Sequence, residues 1–201
     1  MDTGWLTAGL ATEVAYNNGS IWSDMNNAKI SDNVYALSYI DSNSPYCTKY
    51  LKLYNFNANI PIGSIINGIM VQVERKESGV VTDHIKDKSI KLVRDGTIEG
   101  EDKPSATNWT SSDVIIEYGS SVSLWGLSWI ADQVNSVNTG VVFSAKKVFP
   151  EIPTAYVDMI KMKIYYVLPS PKINNVSKMS ISKMNGVSVG NINKIKGINY
   201  A

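Results

Sequence analysis

Apolar and polar residues alternate along much of the chain, as they do in β-strands that bury one face. The clearest example is the segment Ile65–Arg75, where Ile69, Val71 and Val73 fall on one side of an extended backbone. Gly68, near the start of this segment, predicts a β-bulge. Further segments alternate in the same way or carry the β-branched and aromatic residues typical of strands: 33–39, 49–56, 89–94, 113–117, 140–146 and 154–167.

The last of these segments, 154–167, predicts a long strand with one continuous side-chain face. Strict alternation places the following residues together on that face: Tyr156, Asp158, Ile160, Met162, Ile164 and Tyr166.

Helical patterns are short by comparison. Residues 129–134 predict one or two turns, and the pattern of 6–15 is ambiguous because Gly9 interrupts it. Seven or eight strands separated by Gly, Pro, Asn and Ser clusters predict an all-β fold, an antiparallel β-sandwich that is jelly-roll-like or immunoglobulin-like. Cys47 is the single cysteine, which excludes the disulfide-pinned immunoglobulin variant. The long connection Gly96–Ser112 is then either functional or tied down by its own side chains, with Trp109 as the candidate tie.

The length of the chain, 201 residues, fits one domain with appendages. We predict an N-terminal arm over 1–30, a β-sandwich domain over 31–168 and a C-terminal tail over 169–201. Pro169-Ser170-Pro171 marks the last boundary, because proline ends strand pairing and stiffens a linker.

The C-terminal tail repeats itself. Ile181–Gly186 is followed eleven residues later by Ile192–Gly197, with Ile, Lys, an apolar residue and Gly in register. So short a segment cannot bury its apolar side chains on itself, so it predicts a docking or oligomerisation element that binds another surface. The predicted partner-binding residues are Ile181, Met184, Val187, Val189, Ile192, Ile195 and Ile198.

The charge and composition of the chain limit the classes of partner that it is expected to bind. The formal net charge is +1, so no long-range field favours nucleic acid or anionic lipid. No segment reaches the roughly 18 apolar residues that a membrane span requires, and the N-terminus lacks the basic and apolar regions of a signal peptide. We expect no nucleic-acid or membrane partner.

Catalytic and metal-binding signatures are weak. His84 is the single histidine and lies in a polar loop, and no glycine-rich phosphate loop is present. We therefore expect no enzymatic activity and no cofactor. The acidic residues Asp95, Glu99, Glu101 and Asp102 are a weak candidate Ca²⁺ site, and their order does not match an EF-hand loop, so a solvated acidic turn is the favoured explanation.

Five tryptophans are many for this length, and exposed tryptophans are how many lectins stack on sugar rings. Trp109, Trp125 and Trp129 are the candidates for glycan stacking. The favoured interpretation of Trp125 and Trp129 is instead that they close one end of the sandwich.

An ordered series of landmarks runs from Ser31 to Val167: Ser31–Ala36, Tyr50–Phe56, Ile60–Arg75, Leu124-Trp125-Gly126 and Ala155–Asp158. This series, together with the Ile-Ser-Lys-x-Asn-Gly type of C-terminal repeat, resembles β-sandwich structural proteins of tailed bacteriophages. The resemblance covers about two thirds of the chain. It implies a virion component that is made in the host cytoplasm, and it implies no catalytic residue.

The expected function is thus a noncatalytic structural protein of a tailed-phage virion, either a capsid decoration, a head fibre or a tail appendage. Its expected partners are other virion proteins and further copies of itself. The alternative is a carbohydrate-binding or receptor-binding module of the same particle. A hydrolase is the third hypothesis.

Overall fold

The computed structural model describes residues 1–40, 46–78, 85–148 and 152–170, and six two-residue strands beyond residue 171. The chain divides into two compact units, Met1–Val167 and Leu168–Ala201. No helix in the described residues is long and apolar enough to cross a membrane.

The first unit contains ten strands in its described residues. They are β1 (Leu6–Thr7), β2 (Leu10–Val14), β3 (Ala36–Tyr39), β4 (Tyr50–Tyr54), β5 (Ile65–Glu77), β6 (Ile85–Arg94), β7 (Thr97–Glu99), β8 (Val114–Gly119), β9 (Gly140–Lys147) and β10 (Thr154–Val167). A 3₁₀ turn, Met25–Ala28, and a short helix α1, Ala131–Asn135, complete the unit.

The strands form two antiparallel sheets. Sheet A has the order β1-β10-β5-β8, with β3 also paired to β10, and sheet B has the order β2-β4-β9-β6-β7. The buried hydrophobic residues of both sheets form one core, in which Phe143 of sheet B and Val71 of sheet A are fully buried. The predicted all-β antiparallel sandwich is confirmed.

The N-terminal segment 1–30, predicted as an arm, supplies β1 to sheet A and β2 to sheet B. Gly9 separates the two strands, and its backbone N–H donates to the carbonyl of Asn55 over 2.9 Å. Each of these strands is too short to show a clear alternation in the sequence, which is why the pattern was ambiguous.

Two β-bulges interrupt the pairing between β5 and β10. In the first, Gly68 lies opposite Tyr165 and Ile66 opposite Tyr166, so β5 has one extra residue there and the predicted bulge near Gly68 is confirmed. A second irregularity lies between Val157 and Met159, where Asp158 is the extra residue. The continuous face predicted for β10 is therefore wrong at its start: Val157 is buried in the core, and Tyr156 lies on the outer face.

A buried ion pair joins the two sheets inside the sandwich. Arg75 of β5 lies 3.1 Å from Asp87 of β6, and both side chains are almost fully buried. The Asp87 carboxylate also accepts hydrogen bonds from Trp109 Nε1, at 2.9 Å, and from the Tyr118 hydroxyl, at 2.6 Å. Burial, reinforced by the charge of Asp87, raises the pKa of Tyr118. Trp109 thus ties the long connection into the core, as predicted.

In its described residues, the second unit contains three two-stranded antiparallel pairs: β11 (Lys172–Ile173) with β12 (Val176–Ser177), β13 (Lys183–Met184) with β14 (Val187–Ser188), and β15 (Lys194–Ile195) with β16 (Ile198–Asn199). The pairs begin at residues 172, 183 and 194, eleven residues apart. The tail therefore repeats three times, one time more than the sequence pattern indicated. Of the predicted partner-binding residues, Ile181, Val189 and Ile192 lie outside the described residues.

Candidate functional site

The five tryptophans differ sharply in exposure. Trp109 and Trp125 are fully buried, and Trp22 and Trp129 are exposed by less than a tenth of their surface. Each buried indole N–H also has a protein acceptor; that of Trp125, for example, donates to the carbonyl of Ile69 over 2.9 Å. The prediction that Trp109, Trp125 and Trp129 stack on a glycan is therefore wrong, because none of these rings presents a face to solvent.

Trp5 is the single tryptophan that is partly exposed. It lines a cavity of about 590 Å³ that opens to solvent beside β1 and the end of β4. The cavity, here called the Trp5 cleft, is lined by Trp5, Leu6, Thr7, Ala8, Gly9, Asn55, Phe56 and Asn57.

The local sequence explains how the cleft forms. Phe56 is buried in the core, and the asparagines on either side of it adopt left-handed backbones, with φ of 61° at Asn55 and 50° at Asn57. Asparagine tolerates this conformation better than most residues. A Cβ on Gly9 would lie only 2.7 Å from Asn55 Nδ2, so the absence of a side chain at Gly9 gives the amide of Asn55 its position.

The walls of the cleft carry no charged side chain. Beside the cleft, the ammonium of Lys163 lies 4.5 Å from the centre of the Trp5 ring and covers one of its faces. An aromatic ring, two amides and the Thr7 hydroxyl offer a stacking surface together with several hydrogen-bond donors and acceptors. This combination suits a small polar ligand that also has an apolar face.

Comparison with solved structures finds resemblances to carbohydrate-binding modules. The chain is similar to a CBM4 module, with 10% identity over 79% of this chain and 93% of that one and a TM-score of 0.43. A family 30 module of a Clostridium thermocellum cellulosomal cellulase has 12% identity, covers 81% of this chain and 96% of its own, and gives a TM-score of 0.38. A further family 30 carbohydrate-binding module has 13% identity, with 87% and 93% covered and a TM-score of 0.39. No protein-family model and no curated protein matches the chain.

The four acidic residues weighed as a Ca²⁺ site are engaged separately. Arg94 binds Glu99 through two contacts of 2.6 and 3.0 Å, and Lys103 pairs with Glu101. Asp102 accepts from the backbone N–H of Ile90 over 2.8 Å, while Asp95 lies in the turn after β6. In the described part of the chain, no three His, Cys, Asp or Glu side chains converge on a common point. The structure therefore does not assemble the weak Ca²⁺ candidate. His84 lies outside the described residues.

A second apolar cluster lies on the outer face of sheet B. Tyr50, Val93 and Val142 are buried there, although they point away from the core. The ring of Tyr16 stacks on Tyr50 with centroids 4.0 Å apart, and the Tyr50 hydroxyl lies 2.9 Å from that of Ser89. Burial raises the pKa of Tyr50 to about 12. Sequence reasoning missed this cluster because Tyr16 comes from a loop that follows β2.

Proposed function

We propose that the chain is a noncatalytic glycan-binding module and that the Trp5 cleft is its binding site. The observation that carries this proposal is that Trp5 alone among five tryptophans is partly exposed, and that it lines the 590 Å³ cleft together with two asparagines. The buried tryptophans, by contrast, contribute to the stability of the sandwich.

A sugar would stack its apolar C–H face on the side of the Trp5 ring opposite Lys163. The amides of Asn55 and Asn57 and the hydroxyl of Thr7 would replace the water that hydrates the sugar hydroxyls. The side-chain amides and the hydroxyl can each donate and accept hydrogen bonds, as sugar hydroxyls do. The polar groups of the cleft therefore match the hydrogen-bonding capacity of a sugar.

We expect Trp5→Ala to weaken glycan binding about 10- to 100-fold, since the lost stacking surface is that of a large aromatic side chain. Trp5→Phe should retain part of the affinity. The measurement is tryptophan emission during titration with neutral gluco-, galacto- and manno-oligosaccharides, followed by calorimetry on those that shift the emission. Gly9→Ala is a second variant, because its Cβ would displace the Asn55 amide without touching Trp5.

Tyr39→Ala is the matched control, because Tyr39 is an aromatic residue 62% exposed at the end of β3 and lies outside the cleft. The control should bind as the parent does. The proposal fails if no neutral oligosaccharide changes the emission of the parent protein, or if Trp5→Ala and Tyr39→Ala bind equally well.

A second candidate function is attachment within a multi-copy particle, and the threefold hairpin repeat of the tail favours it. An isolated two-residue strand pair is not stable in water, so three such pairs spaced eleven residues apart need a surface that covers them. The resemblance to structural proteins of tailed bacteriophages supports a virion as that particle, with other virion proteins and further copies of this chain as partners. In this role the sandwich would display the Trp5 cleft on the particle.

Ending the chain after Leu168 tests this candidate function. The truncated protein should unfold at the same urea concentration as the full chain, because the core belongs to Met1–Val167. It should lose self-association, or incorporation into particles, because the repeats are gone. The measurements are oligomeric mass by light scattering and incorporation by particle sedimentation. Equal mass and equal incorporation of the two proteins would contradict an attachment role.

A further inference from the structure

The outer face of sheet B carries lysines at positions spread over three strands. Residues opposite one another in a ladder share a face, and Leu51, Leu53 and Phe143 point into the core, so their sequence neighbours point outward. On this rule the outward lysines are Lys52 of β4, Lys86 and Lys91 of β6, and Lys146 of β9. Lys88 adds a fifth at the bulge of β6. No Asp or Glu occupies an outward position on the five described strands of this sheet.

Two of these lysines lie on either side of a buried valine. Lys52 and Lys91 both lie opposite Val142, one on each side, so their Cα atoms are about 10 Å apart across two strand spacings. The side chain of Val142 is fully buried between them. The Lys52 ammonium lies 4.7 Å from the centre of the Tyr54 ring, and burial lowers the pKa of Lys52.

The other three lysines surround a cavity. A hollow of about 270 Å³ is lined by Lys86, Lys88, Lys146, Asp87, Pro104, Ser105 and Ala106. The carboxylate of Asp87 is already paired with Arg75 and accepts from the backbone N–H of Ser105 over 2.9 Å. The cavity therefore presents an excess of positive charge.

Within the described part of the chain, no salt bridge joins any of these five lysines to Asp or Glu, whereas Lys49, Lys76 and Lys103 are each ion-paired. The face therefore carries five lysines in a protein whose formal net charge is only +1. A face of this kind favours an anionic ligand that spans several strands.

We propose that the outer face of sheet B binds an acidic polysaccharide, at a site separate from the Trp5 cleft. The lysines would pair with carboxylate or sulfate groups along the polymer. Its sugar rings would lie on the aliphatic stems of Lys52 and Lys91 and on the exposed part of Ile98, which extends the apolar cluster. This inference does not depend on the Trp5 cleft, since the two sites share no lining residue.

The same face fits single-stranded nucleic acid less well. Bases bind such surfaces by stacking on exposed aromatic rings. Here Tyr16 covers Tyr50, and the ammonium of Lys52 lies over Tyr54, so these rings already have partners. A polysaccharide needs no such stacking platform for its charged groups.

The test is affinity electrophoresis of the full chain in gels that contain polygalacturonate, dextran sulfate or neutral dextran, followed by calorimetry at several salt concentrations. We expect retardation by at least one of the acidic polymers and none by dextran. The double variant Lys52→Gln with Lys91→Gln should bind about tenfold more weakly and show a shallower salt dependence. Lys86→Gln with Lys146→Gln should weaken binding in the same direction.

Lys29→Gln with Lys161→Gln is the matched control, because both of these half-buried lysines belong to the sheet A side. The control and Trp5→Ala should each bind the acidic polymer as the parent does. The inference is overturned if neither acidic polymer retards the parent protein, or if the control pair weakens binding as much as Lys52→Gln with Lys91→Gln. It is also overturned if an oligothymidylate binds and the polysaccharides do not. A failure of neutral glycans to bind would instead count against the Trp5 cleft alone.

Discussion

Replacing Asp87 with alanine should lower the free energy of unfolding by about 3 to 5 kcal/mol, because it leaves the Arg75 charge buried without its counter-ion. The side chains of this pair are exposed by only 2% and 0%. Besides this ion pair, the Arg75 guanidinium lies 4.7 Å from the centre of the Trp109 ring, and its Nε and Nη2 make no well-aligned hydrogen bond to a described residue. The same substitution leaves the buried donors of Trp109 and Tyr118 without their acceptor.

Urea unfolding measures this effect, and Asp113→Ala is the matched control. Asp113 pairs with Lys76 at 3.1 Å, but both side chains remain about one quarter exposed, so its loss should cost no more than about 1 kcal/mol. Replacing both Arg75 and Asp87 with leucine should recover part of the lost stability, because no unpaired charge remains, while the buried donors of Trp109 and Tyr118 still lack their acceptor. A loss for Asp87→Ala as small as that of the control would show that the buried pair does not stabilise the sandwich.

Gly140→Ala should destabilise the protein by about 2 to 3 kcal/mol through overpacking. A Cβ at this position would lie 2.1 Å from the carbonyl oxygen of Leu53 and 2.7 Å from Cα of Tyr54. Both are atoms of the neighbouring strand β4, so the ladder between β4 and β9 has to move apart to admit a methyl group. No flexible side chain can take up the displacement.

Gly4→Ala separates steric crowding from backbone strain. Gly4 has a φ of +68°, and no atom lies within 4 Å of the Cβ that a substitution would add. Its substitution should therefore lower the free energy of unfolding only through the strain of a left-handed backbone, by about 1 kcal/mol. Thermal and urea unfolding of the two variants make the comparison. If Gly140→Ala and Gly4→Ala lowered the free energy of unfolding equally, close strand packing at Gly140 would not be the cause of the loss.

The alternation of residues was sufficient to predict the central strands and most of their faces. In β5, the predicted inward residues Ile69, Val71 and Val73 are all fully buried. The prediction for β10 failed at Tyr156 because Asp158 is an extra residue at a bulge, and one inserted residue exchanges the two faces. The bulge depends on a contact between distant parts of the chain, which no local pattern reveals. The buried Asp158 carboxylate accepts hydrogen bonds from the backbone N–H groups of Asp32 and Asn33.

The candidate site was less predictable than the fold. Composition showed that tryptophan was abundant, and the burial of both rings agrees with the interpretation that Trp125 and Trp129 close one end of the sandwich, but nothing in the sequence pointed to Trp5. Trp5 lies just before the segment of ambiguous periodicity, 6–15, and was not among the tryptophans predicted to bind a glycan. Its cleft forms because β1 and the end of β4, nearly fifty residues apart in the chain, meet at Gly9 and Asn55.

Local periodicity and backbone preference were enough to predict the all-β class, the positions of the long strands, the bulge at Gly68 and the repetitive character of the tail. The exposed tryptophan, the paired charges and the lysines that share a face became apparent from the folded chain alone. Exposure and pairing depend on contacts between residues distant in the chain. Arg75 and Asp87 meet across the two sheets, and Lys52 and Lys91 share a face only because β9 lies between their strands.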